Sequence, residues 1–267
     1  MLTGKMKKYL LFILAVFVIT SLMLTSCRDQ VEVSSNSQPK AAIVDQLYLL
    51  EPNPAFIEQA SRTLESYGFT VDVWQGEEIT VDFYRELPSY GYKLIIFRIH
   101  SGLLLTPVGS KVTASELTYL FTGEKYTTTK YVTEQLTERV SNALMSDDYP
   151  EIFAVNSEFI SQELQGGGFT DAVILMMGCE TYFFDDMAEA FVRQGASVYL
   201  GWSTWVSLEY VDKATLNLLD NLSAGNLTIE RGIAEMMSEV GTDPYFEAYM
   251  KYYPAESGGQ TIGELVK

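Results

Sequence analysis

Two short apolar runs, each closed by a chemically distinctive residue, constrain this chain most. Leu94-Ile95-Ile96-Phe97-Arg98-Ile99 leads into His100-Ser101-Gly102, and Ala172-Val173-Ile174-Leu175-Met176-Met177 leads into Gly178-Cys179-Glu180. Runs of this length and character read as buried strands. His100 is the sole histidine, and Cys179 is the sole cysteine besides Cys27. A thiol needs a base to act as a nucleophile near neutral pH, and imidazole is the side chain tuned for that task. With one imidazole and one such sulfur, both at strand exits, the chain builds at most one pair.

The surrounding pattern alternates. Residues 41–50 read as a first strand. Phe56, Ile57, Ala60 and Leu64 recur at helical spacing over 56–67, and Gly68 closes that helix. Residues 69–74 alternate as a second strand. A short helix over 80–87 ends before Pro88 and leads to the strand before His100. After Cys179 the same rhythm returns: a helix over 186–194 carrying Met187, Ala190 and Phe191, a strand over 196–200 that runs into Gly201-Trp202-Ser203-Thr204-Trp205, and amphipathic helices over 208–222 and 228–240. Strand–helix–strand succession is the mark of a parallel sheet with helices on its faces. The middle, 103–168, is less regular: a helix over 130–145, a strand over 152–155, and a helix over 157–165 with Ser157 as its N-cap. Gly166-Gly167-Gly168 reads as a turn, because it lacks the Gly-Lys-Ser/Thr ending of a phosphate loop. The tyrosine-rich tail, 245–267, is expected to pack on the domain.

The first residues are of a different kind. Lys5, Lys7 and Lys8 precede an apolar stretch, and small residues then lead to Cys27. These are the three parts of an export signal. Leu24-Thr25-Ser26-Cys27 resembles the lipobox of prokaryotic lipoproteins. That resemblance implies a signal peptide over 1–26, cleavage before Cys27, and a diacylglycerol on its sulfur. Residues 27–40, polar with serines and a proline, read as the lipidated cysteine and a flexible tether. The domain then occupies 41–267, outside the cytoplasm and lipid-anchored to the cell membrane. With Cys27 lipidated, Cys179 has no disulfide partner within the chain.

Composition narrows the partners. At 47% apolar and 13% aromatic, the 267 residues suffice for one sizeable packed domain. A net charge of −17 excludes nucleic acid as a natural ligand, because a polyanion would be repelled. The same charge would steer basic substrates inward. One histidine and one domain cysteine do not make a common zinc site, and no EF-hand spacing occurs. No cofactor or metal is expected.

Strand exits at the carboxyl edge of an open parallel sheet are where sites assemble. If the two runs are neighbours, His100 and Cys179 face one another across a cleft. The strand-then-His100-Ser101-Gly102 and strand-then-Gly178-Cys179-Glu180-Thr181 arrangement resembles the caspase–gingipain–clostripain group of cysteine peptidases. The following Met187-Ala188-Glu189-Ala190-Phe191, Gly195-Ala196-Ser197-Val198 and Trp202 are similar to its CHAT branch. The resemblance, over residues 41–240, implies a caspase-like fold: an α/β, three-layer α/β/α sandwich with a mostly parallel sheet. It implies Cys179 as nucleophile, His100 as the proton-transfer partner, and the Cys179 amide as one oxyanion donor. In the family the second donor is the glycine directly after the histidine. Here Ser101 stands in that place and glycine comes at Gly102, so either amide is a candidate. A misplaced donor costs about 10²–10³ in rate.

Four further residues are candidates for substrate binding. Asp185, with Asp186, would form an acidic pocket for a basic residue at the cleavage site, which several relatives prefer; the competing role is helix N-terminal charge. Trp202 and Trp205 would line a groove or fill the core. Glu180 adjoins the nucleophile. Two functions from different classes follow. One is a cell-surface cysteine endopeptidase that cleaves protein or peptide substrates through an acyl-enzyme. The other is an inactive caspase-like lipoprotein that binds a second envelope protein, which the Ser101 departure favours.

Overall fold

Side-chain alternation along the strands decides the layering. In β1 (Lys40–Asp45), Ala41 and Ile43 point into one core while Ala42 and Val44 point into another. β3 (Tyr92–Arg98) does the same with Leu94 and Ile96 against Ile95 and Phe97. A strand apolar on both faces needs cover on both. The computed structural model describes residues 38–108, 111–146 and 148–266. The expected signal peptide, Cys27 and most of the expected tether lie outside the described residues.

Three long helices cover most of one face. α1 (Pro54–Tyr67) begins where the Asn53 side chain accepts the Phe56 N–H and ends at Gly68 with φ 112°. It buries Phe56, Ala60 and Leu64. Further along the chain, α6 (Leu208–Leu222) and α7 (Ile229–Val240) join the same core through Val211, Ala214, Leu218, Ile233 and Met236. The opposite face carries α2 (Val81–Glu86), α4 (Ser157–Glu163) and α5 (Asp186–Arg193) through Phe83, Phe159 and Phe191. Burying the larger of these side chains is worth roughly 1.5–3 kcal/mol each.

The main sheet has six strands in the order β10-β9-β8-β3-β1-β2, where β2 is Thr70–Gln75, β8 Ala172–Met176, β9 Ala196–Trp202 and β10 Met250–Tyr253. All pairs are parallel except β10 with β9. The chain is thus a mixed α/β protein with a mostly parallel sheet. The aromatic tail does pack on the domain. It does so by adding the antiparallel edge strand β10, with Tyr252 opposite Leu200, before a last turn of helix, α8 (Ile262–Leu265).

The middle of the chain departs from the sequence reading. A second, four-stranded antiparallel sheet stands there in the order β4-β5-β7-β6. Its hairpin of β4 (Ser101–Val108) and β5 (Lys111–Lys125) begins one residue after His100. The expected helix over 130–145 shrinks to one short helix, α3 (Val132–Leu136), between left-handed Tyr131 and Glu138. The rest becomes β6 (Val140–Ala143), because Val140 gains a buried place by pairing with Val155 of β7 (Ile152–Asn156). Tertiary pairing here overrides local periodicity. The α4 cap is Asn156, whose side chain accepts the Phe159 N–H at 3.0 Å; Ser157 is the first helical residue and not the cap.

Candidate active site

β3 and β8 are neighbours, with Phe97 opposite Met176. Both therefore deliver their next residues, His100 and Cys179, to the same carboxyl edge. The connection from β1 to β2 runs toward one side of the sheet and the path to β3 toward the other, so the crevice of a topological switch point lies at this edge. A cavity of about 90 Å³ occupies it, lined by His100, Cys179 and Gly178 together with Leu47, Ile99, Met177, Val206, Leu208 and Val211. Four strand exits contribute: those of β1, β3, β8 and β9.

Close contacts hold the two exits together. The Ser101 hydroxyl donates to the Cys179 carbonyl at 2.6 Å. A Cβ on Gly178 would collide with the Ser101 hydroxyl and lie 2.8 Å from the Ile99 carbonyl, so only glycine fits between the strands there. The loop turns at Glu180, which is left-handed with φ 56° and donates its N–H to the Thr204 carbonyl at 3.0 Å. Thr181 ties the turn down, donating to the Gly178 carbonyl and accepting the Trp202 N–H, each at 3.1 Å.

His100 is positioned from β1 and β5. Its N–H donates to the Gln46 side chain at 2.9 Å, and its carbonyl accepts the Phe121 N–H at 3.0 Å. Its ring lies 6.0 Å from that of Phe121. The Nε2 atom is buried and has no hydrogen-bond partner among the described residues. Such an orphan is uncommon in a folded protein and calls for an explanation. Burial, and secondarily the nearby Arg98 charge, lower the His100 pKa, so the imidazole is neutral at pH 7.

The thiol is also neutral at rest. Burial pushes the Cys179 pKa up, the carboxylates of Glu180 and Asp243 add to the rise, and contact with the Val206 backbone opposes it. That contact runs both ways: the Val206 N–H donates to the sulfur and the thiol donates to the Val206 carbonyl, each at 3.5 Å. Asp243 is itself fixed by Ser207, whose N–H and hydroxyl donate to it at 2.7 and 2.6 Å.

Of the two candidate oxyanion amides beside His100, the hairpin register separates the roles. The bond from the Phe121 N–H to the His100 carbonyl sets the phase, and opposite residues alternate between bonded and non-bonded pairs along an antiparallel ladder. Ser101, opposite Leu120, falls in a non-bonded pair. Gly102, opposite Tyr119, falls in a bonded one. The Ser101 amide thus points away from β5, at the open edge of its sheet, whereas the Gly102 amide belongs to the ladder.

The other candidates lie in different surroundings. Trp202 is fully buried in the core under α6, with its ring 5.5 Å from Tyr210. Trp205 is 53% exposed, its ring 5.9 Å from Phe246. Glu180 reaches the backbone of β4, its carboxylate 3.5 Å from where a Gly102 Cβ would stand. Asp185 is exposed opposite Lys251 at 3.9 Å, and Asp186 accepts the Thr118 N–H and hydroxyl at 2.7 and 2.9 Å; neither lines the cavity. Among the described residues, no three His, Cys, Asp or Glu side chains are placed to hold a metal ion. No described helix is long and apolar enough to cross a membrane.

Sequence reasoning did not single out Gln46, Val206 or the charge network behind His100. Arg98, 1% exposed, grips Asp212 with Nε and Nη2 at 2.8 and 3.0 Å and Asp45 with Nη1 at 2.8 Å. The signal was present: an arginine inside an apolar strand demands buried partners, and Asp45-Gln46 close the first strand as His100 closes the third. Val206, which contributes through its backbone, left no signal.

Comparison of the chain with protein-family models and with curated protein sequences returned no match.

Proposed function

We propose that this protein is a cysteine endopeptidase of caspase-like type, with Cys179 as nucleophile and His100 as the proton-transfer group. By its lipobox-like signal it acts outside the cytoplasm, held to the membrane through lipid on Cys27. The observation that carries the reading is that His100, whose buried Nε2 is orphaned, and Cys179 line one cavity at the exits of two adjacent parallel strands.

Both groups start neutral, so the imidazole takes the thiol proton as the sulfur attacks the scissile carbonyl. Apo geometry of such pairs is commonly loose and tightens with substrate. The developing oxyanion is received by the amides of Cys179 and Ser101. His100 then returns the proton to the leaving amine. Water hydrolyses the thioester by the reverse route, with His100 again as base.

The test uses the full chain and a proteome-derived peptide library, with new termini read by mass spectrometry. Cys179→Ala and His100→Ala are each expected to lower cleavage by 10³-fold or more with an unchanged circular dichroism spectrum. Cleavage that survives Cys179→Ala overturns the reading. The raised thiol pKa favours a second one, a non-catalytic envelope lipoprotein that binds a partner protein. Under it, no library peptide is cut and partner capture is indifferent to Cys179→Ala.

A further inference from the structure

We propose that the 90 Å³ cavity beside Cys179 receives the side chain on the acyl side of the scissile bond, and that it selects a small apolar residue, alanine to valine. This rests on the peptidase reading above. Besides His100, Gly178 and Cys179, the walls are Leu47, Ile99, Met177, Val206, Leu208 and Val211. No carboxylate lines the cavity, so a lysine or arginine side chain entering it would bury its charge without a partner, which is strongly disfavoured. Asp185, the acidic candidate for a basic side chain, is turned to Lys251 instead.

Volume sets the upper limit. An apolar protein cavity of about 150 Å³ takes a benzene ring. At about 90 Å³ this one is smaller and suits a methyl or isopropyl group better than a phenyl group. Desolvation supplies the affinity, as for any apolar pocket with few polar groups. Leu208 and Val211, on the first turn of α6, form the helical wall, and Leu208 is only half-buried. Leu208 is therefore the residue whose size sets the preference.

The experiment treats the full chain with peptidyl acyloxymethyl ketones that differ only in the residue next to the warhead: Ala, Val, Phe, Asp or Arg. In this reaction the Cys179 sulfur forms a bond to the methylene carbon. The carboxylate leaves with the bonding electron pair, and the thiol proton passes through His100 to solvent. Adduct at Cys179 is followed by peptide mapping. The Ala and Val probes are expected to label at least about tenfold faster than the Phe and Arg probes, the scale on which apolar pockets discriminate. Leu208→Ala is expected to raise the Phe-probe rate about tenfold and to lower the Ala-probe rate. Leu208→Phe is expected to leave only the Ala probe reactive.

Preferential labelling by the Arg or Asp probe overturns the pocket assignment and leaves the peptidase reading intact. So does a probe ranking that neither Leu208 variant changes. If no probe labels Cys179 while iodoacetamide still does, the peptidase reading fails and the pocket assignment with it.

Discussion

The Ser101 hydroxyl donates a 2.6 Å hydrogen bond to the Cys179 carbonyl, linking the residue after the sole imidazole to the candidate nucleophile itself. The bond fixes the peptide plane from which the Glu180 turn departs. Ser101→Ala is expected to lower stability by about 1 kcal/mol, the usual net worth of one such bond. Turnover should fall about tenfold, because the thiol is held less firmly. Urea denaturation and peptide hydrolysis measure the two effects. A variant unchanged in both would show that the bond orders nothing.

Gly178 lies where the two strand exits touch. A methyl group there meets the Ile99 carbonyl at 2.8 Å, and backbone cannot swing away as a flexible side chain would. Gly178→Ala is expected to cost about 1–3 kcal/mol, as overpacking does. It should also spread the exits, so that labelling of Cys179 by peptidyl probes falls by more than the stability loss explains. Gly259→Ala is the control, since nothing stands within 4 Å of its added Cβ. Equal effects at the two glycines would refute the close-approach argument.

Much of this edge was legible in the sequence, because its signals are local. Apolar runs ending on His100 and Cys179 announce strands and their exits. Phe56, Ala60 and Leu64 announce a helix with one buried face. Legibility fails where pairing partners are distant. β6 exists because Val140 meets Val155, and no window around residue 140 contains that partner. The β4–β5 hairpin fails for another reason. Leu105 is 62% and Val112 64% exposed, so the alternation that marks a half-buried strand is missing. At the site, His100 and Cys179 could be named in advance, whereas Gln46 and Val206 could not, because they act through one hydrogen bond and through backbone atoms.

Behind the site, Arg98 joins β1, β3 and α6 through Asp45 and Asp212. Removing one member of a buried charge network leaves the others uncompensated and costs about 3–5 kcal/mol. Arg98→Met is expected to show that loss in thermal or urea unfolding. Asp45→Asn should be milder. Burial raises the Asp45 pKa despite the pull of Arg98, so its carboxylate form is already disfavoured in the fold. The sign follows: the stability that protonated Asp45 contributes is full below its unfolded value, about 3.9, and is lost as pH rises through the folded value. Asp45→Asn should remove that part of the pH dependence. An Arg98→Met variant as stable as the parent would mean the network is dispensable.

The state of the Cys179 thiol gives the sharpest distinction between a preformed ion pair and a neutral dyad. Burial first, and the Glu180 and Asp243 carboxylates after it, push the thiol up, while the Val206 contact draws it partway back. Burial and Arg98 hold the imidazole neutral. Alkylation of Cys179 by iodoacetamide, followed by peptide mapping so that Cys27 does not contribute, is therefore expected to climb through the alkaline range. Its midpoint should lie above the ordinary thiol value of about 8.5, with no plateau near neutrality. Glu180→Gln removes one of the raising charges and should move the midpoint down. His100→Ala should leave it nearly in place while abolishing peptide cleavage, because on the proposed mechanism the imidazole acts only once substrate is bound. A reactive plateau already present below pH 7, lost in His100→Ala, would instead establish a resting thiolate–imidazolium pair and overturn this account of the site.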